Sequence, residues 1–191
     1  MSRDDLRVLA EEQAALRRVA TLVTRGAAPE DVFAAVAEEV GQLLPVDSAS
    51  MCRYEPDGTL TFVAQWGSVA ARFPVGSRWA VGGHNLGTLV FETGRPAQVD
   101  GYADSSSGPL GAGIRETGLR WAAGTPVIVE GRLWGLIAAG STVQRPLPRS
   151  RTLRTWPPWP PPARGSWWPR MRPGGGSSVI CATASSSSWC P

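Results

Sequence analysis

Lysine is absent from this 191-residue chain, and histidine occurs once, at His84. Cysteine occurs three times, at Cys52, Cys181 and Cys190. Three scattered thiols are too few for a disulfide framework and lack the spacing of a zinc site. No apolar run approaches about 18 residues, so no helical membrane span is expected. The opening "MSRDDLRVLAEEQAALRR" is charged from the start and is not read as a signal peptide. These absences point to a soluble cytoplasmic protein. There is no Ser/His/Asp set, no paired-carboxylate motif and no phosphate loop, so no catalytic residues are assigned. The sequence requires no metal, and the identity of any cofactor is unknown from it.

Charge is unevenly placed. Residues 1–144 hold 12 arginines and 16 acids, a net of −4, whereas residues 145–191 hold 7 arginines and no acid. The overall +3 and the pI near 9.1 therefore belong to the tail. Without it, no basic stripe remains to suggest a nucleic-acid partner.

The chain then reads as helices followed by strands. Leu6, Leu9, Leu16, Val19 and Val23 recur at spacings of three, four and seven, which predicts a helix over 3–25 that stops at Gly26. Pro29 opens a second helix, with Glu30 and Asp31 in its first turn, and Pro45 closes it. Two short strands flank Glu55-Pro56-Asp57-Gly58, and a further strand lies near Trp79. A helix over 86–93 ends at Gly94, followed by a strand over 97–99. "SSSGPLGAG" reads as a flexible loop and "IRETG" as a short helix. The clearest hairpin is "AAGTPVIVEGRLWGLIAAGS", turning at Glu130-Gly131-Arg132. The fold class is α+β, with a central, mainly antiparallel sheet, flanking helices and a disordered C-terminal tail.

Three phrases carry a resemblance: "VFAAVAEEVGQLLPVDSASMCRYEPDG", "LGTLVFETGRPAQVDGYAD" and "IRETGLRWAAGTPVIVEGRLWGLIAAGST". Over residues 7–142 they resemble a GAF domain, and in particular that of a sensor histidine kinase from a high-GC bacterium. The resemblance implies a small-molecule sensory domain within a two-component system. It also implies a leading helix that pairs with a second subunit. The organisation expected is an N-terminal signalling helix at 1–27, a GAF domain at 28–142 and a tail at 143–191.

The tail, "RTWPPWPPPARGSWWPRMRPGGGSSVICATASSSSWCP", is rich in tryptophan, proline, glycine and serine. It reads as a displaced frame. Taking the last base of each codon with the first two of the next turns every Trp-Pro into a codon for alanine. The shifted text allows an acidic, alanine-rich helix and then R-R-R-I-E-R-D-L. This resembles the start of a kinase dimerisation helix, although Cys181-Ala182 allows only arginine or cysteine where that family has histidine. The relative intact in frame would be a histidine kinase. The chain as written is expected to be no enzyme.

Tyr54, Trp66, Trp79, Phe91 and Trp121 are aromatics that either line a ligand pocket or fill the core. Arg120 either meets an anionic ligand or stands exposed. His84 has no second ligand spaced from it, which favours a solvated or capping role. Cys52 reads as a small buried residue. The stripe on the first helix either forms a homodimer seam or packs on its own domain. Without a last helix, Leu136 or Ile137 is expected to be exposed. Two functional classes follow: a sensory module for an unknown small molecule, and a ligand-free dimerisation scaffold.

Overall fold

The structure is a computed structural model and describes residues 3–143. The tail reading from position 144 onward lies outside the described residues. The elements are α1 (Arg3–Thr24), α2 (Pro29–Leu43), β1 (Ser48–Tyr54), β2 (Thr59–Gly67), β3 (Arg78–Ala80), α3 (Leu86–Thr93), β4 (Ala97–Asp100), α4 (Tyr102–Ser105), α5 (Gly108–Arg115), β5 (Trp121–Val129) and β6 (Arg132–Ser141). The strands form one antiparallel sheet in the order β3-β2-β1-β6-β5-β4. Helices α1 and α2 lie on one side, and α3 to α5 on the other.

Local chemistry explains the two turns that set the register. Glu130 and Gly131 both have positive φ, at 49° and 73°, which is the backbone of a tight hairpin whose twist matches its strands. The Asp57 carboxylate accepts from the Thr59 N–H and hydroxyl, closing the first hairpin. A bulge at Met51/Cys52 shifts the register, so that Met51 pairs with Ala64 and Cys52 with Phe62.

Each face of the sheet has its own core. The larger holds Cys52, Tyr54, Leu60, Phe62, Leu86, Val90 and Leu136, roofed by α3 to α5. The smaller holds Ala37, Met51 and Ala64, with Phe33, Trp66 and Trp134 partly buried around them under α2. Leu136, expected to be exposed, is instead 2 % exposed, because its strand parity places it under α3 rather than under a missing helix. Ile137 takes the opposite parity and is partly buried beside Met51.

Two sequence readings change. The "GPLGAGIR" stretch is helix α5, not a flexible loop, and "IRETG" supplies only its end. Pro109 suits the first turn of that helix. A Cβ on Gly111 would lie 2.9 Å from the Ser106 carbonyl carbon, and one on Gly113 would lie 2.8 Å from the Phe73 ring. The glycines thus permit close packing, and that packing outweighs their poor helix propensity. The stripe on α1 is also divided. Ala15 is buried, with Val19 and Leu22 partly buried on the same side, whereas Leu6, Leu9, Leu16 and Val23 are exposed. The Arg18 guanidinium donates to Glu39 on α2 at 2.6 Å.

Candidate functional site

The larger core is not filled everywhere. A cavity of about 50 Å³ lies between the sheet and its α3–α5 roof. The register explains why it is there. Across the cavity face, Ser50 pairs with Ala138, which pairs with Gly124. One row further on, Ser48 pairs with Gly140, which pairs with Ala122. Over β1, β6 and β5, two successive rows therefore present only serine, alanine and glycine. The rows beside them carry Cys52, Leu136, Tyr54 and Leu60, and there the side chains fill the space.

The roof comes from four segments. Leu86 opens α3, Tyr102 opens α4, Ile114 closes α5, and Val69 and Phe73 come from the loop after β2. Tertiary hydrogen bonds fix these pieces. The Tyr102 hydroxyl accepts from the Leu86 N–H at 3.1 Å. Asn85, 1 % exposed, caps α3 by accepting from the Thr88 N–H and donates to the Gly82 and Ser107 carbonyls. At the edge, the Arg72 guanidinium stands 2.8 Å from Glu116 and lies over the Trp79 ring at 5.3 Å. No charged side chain lines the cavity among the described residues.

The six candidates fall in several places, and none of them lines this cavity. Tyr54 and Phe91 do meet, with ring centroids 5.0 Å apart, and the Tyr54 hydroxyl donates to the Gly87 carbonyl at 2.7 Å. They brace α3 on the sheet. Trp79 packs edge-on to Phe73 at 5.3 Å, one layer behind the roof. Trp66 is on the other face, in the α2 core, because its pairing with Ala49 sets it out of phase with Ser50. Trp121 is 3 % exposed, and its indole N–H donates to the Val143 carbonyl at 3.2 Å. Arg120 is exposed, with Asp104 at 3.9 Å. Sequence reasoning sought large aromatics. The available signal was the reverse, small residues at alternate positions in "DSAS", "WAAG" and "IAAGS".

The reactive groups of the core are quiet. Burial pushes the Cys52 thiol and the Tyr102 and Tyr54 phenols far above their ordinary ranges, so all three stay protonated. Cys52 therefore has no thiolate to offer. His84 sits in the loop before α3, its Nδ1 3.3 Å from the Ser105 carbonyl oxygen. Among the described residues no group of three His, Cys, Asp or Glu is placed to hold a metal ion. No described helix is long and apolar enough to cross a membrane.

Solved structures share this architecture. The phycoerythrobilin-bound GAF domain of a cyanobacterial phytochrome is similar with a TM-score of 0.58 and 16% identity, covering 75% of this chain and 88% of that one. The phycocyanobilin-bound GAF domain of a cyanobacterial phytochrome follows at 0.55 and 18%, covering 72% and 83%. The GAF domain of a phosphoenolpyruvate-protein phosphotransferase from Coxiella burnetii is similar at 0.52 and 23%, covering 72% and 79%. At these identities the likeness speaks for the fold. No curated protein sequence matches the chain. The sequence profile of the GAF domain matches residues 28–156, about two thirds of the chain. With the antiparallel sheet, the helical crossover and the cavity between them already in view, that match places this chain in the GAF domain family.

Proposed function

We propose that the domain is a sensory module whose cavity admits a small molecule, and that binding is relayed through the flanking helices of a homodimer to a two-component output. The supporting observation is the cavity itself, floored by six small residues and roofed by four separately anchored segments. A ligand there touches the sheet and the crossover together, so it favours one arrangement of the roof over another. The exposed line Leu9, Leu16 and Val23 repeats every seven residues on α1 and supplies the dimer seam. In this reading the tail is a displaced frame and the chain transfers no phosphate.

Thermal melting across a metabolite panel, with sedimentation in parallel, tests the core of the proposal. A raised Tm for one compound class, with cavity residues moving in NMR spectra, is the expected result. An unchanged Tm throughout, with an intact dimer, would favour a ligand-free scaffold. Leu16→Glu is expected to give a monomer, and a dimer unaffected by it would remove the seam. The displaced frame is tested by the DNA downstream of codon 148, which should continue a kinase in the other frame. Labelling of the purified chain by ATP would overturn the absence of phosphotransfer.

A further inference from the structure

Gln65 lies on β2, on the sheet face that carries the cavity. Both polar atoms of its amide are buried, and neither meets a hydrogen-bonding partner among the described residues. Buried amides without partners are rare, because each unmatched group forfeits the hydrogen bonds it had in water. The position of this one is informative. Gln65 pairs with Ser50 across the β1–β2 ladder. Directly opposed residues project to the same face, with Cβ atoms about 5 Å apart. Ser50 lines the cavity. Gln65 therefore projects from the same sheet face one strand beyond Ser50, beside the cavity rather than among the residues that line it, and its neighbour Trp66 packs against the other core.

We infer that the cavity takes a small, uncharged ligand bearing a hydrogen-bond donor and acceptor side by side, of the amide class, which reaches past Ser50 to the adjoining Gln65 carboxamide. This rests on the sensory reading above and narrows it. Three features select the class. The Gln65 amide offers one donor end and one acceptor end in a plane, and another amide edge satisfies both at once. The cavity lining carries no charged side chain, so an ionic ligand would be buried without a counter-charge. The volume of about 50 Å³ suits a group of a few heavy atoms, with the rest of a larger ligand requiring the roof to move.

Acetamide, acetone and acetate test this, since each has four heavy atoms and they differ in donor, acceptor and charge. Each is titrated into the full 191-residue chain labelled with ¹⁵N. Acetamide should shift the Gln65 side-chain amide and the backbone signals of Ile114, Leu119 and Ala138. Acetone and acetate should bind at least tenfold more weakly. Gln65→Met should abolish the acetamide response and raise Tm in the absence of ligand, which also shows that the variant folds. If acetone or acetate binds as well as acetamide, or Gln65→Met keeps the affinity, the amide assignment is overturned while the cavity remains a ligand site. If none of the three shifts a cavity residue, the assignment fails. The sensory reading then stands or falls separately on the metabolite panel.

Discussion

Gly41 and Trp66 are in contact through backbone rather than side chain: a Cβ built on Gly41 would lie 2.1 Å from Cε3 of the indole. Helix α2 can therefore lie directly on the ring, and that contact sets its distance from the sheet. Gly41→Ala gains roughly 1 kcal/mol of helix propensity. It also forces a rigid ring out of place, at about 1–3 kcal/mol. The overlap is severe, so a net loss of about 1–2 kcal/mol is expected in urea denaturation. A variant as stable as the parent would mean that the helix shifts freely on the sheet.

Asp47 holds the exit of the last strand. Its Oδ2 accepts from the Ser141 hydroxyl, the Thr142 N–H and the Thr142 hydroxyl, at 3.2, 2.9 and 2.6 Å. Its own carbonyl accepts from the Ser68 N–H. Asp47→Ala is expected to cost about 1–2 kcal/mol, with the partly exposed position reducing the value of the charged bonds. Hydrogen exchange should quicken at Thr142 before the centre of β6 is affected. Uniform loosening across the sheet would show that the contact is not local.

Alkaline pH should weaken the fold. Burial raises the folded-state pKa of Cys52, Tyr54 and Tyr102 above their unfolded values. Their contribution is therefore fully present below the unfolded values and is lost as pH rises past them, first near about 8.5 for cysteine and then near about 10 for tyrosine. Tm should hold steady from neutrality to about pH 8 and then fall. Cys52→Ala should remove the first part of the fall. A fall that survives this substitution unchanged would assign it elsewhere.

The Arg18–Glu39 pair ties α1 to α2. Its hydrogen bond holds the Glu39 carboxyl below the usual glutamate range. The linked stability is present above the unfolded glutamate value and is lost as pH falls through the depressed one. Arg18→Ala should return the Glu39 titration, followed by carboxyl NMR, to the ordinary range and speed exchange in α1. An unmoved titration would show that the pair does not form in solution.

Much of the fold was legible in the sequence because local chemistry dictates it. The Leu and Val periodicity of α1, Pro29, Gly94 and the Glu130-Gly131 turn each act within a few residues, and the structure has helices and hairpins at those places. Helix α5 was misread for the same reason. Three glycines and a proline argue locally for a loop, and only contacts with Ser106 and Phe73 make a helix of them. The resemblance phrases identified the family, and they also contain the alternating small residues of the cavity floor, but only the strand register shows that these come together.

The sequence by itself determined the order of elements, the mainly antiparallel sheet and the membership of the GAF domain family, since these follow from periodicity, turn residues and recurrent phrases. Tertiary structure alone decided which face each residue serves. A bulge at Met51/Cys52 sends Gln65 toward Ser50 and Trp66 toward Gly41. Strand parity buries Leu136 beneath α3, where absence of a helix was expected to expose it. The cavity arises because small residues from three strands come into register, a coincidence that no single stretch of chain can specify.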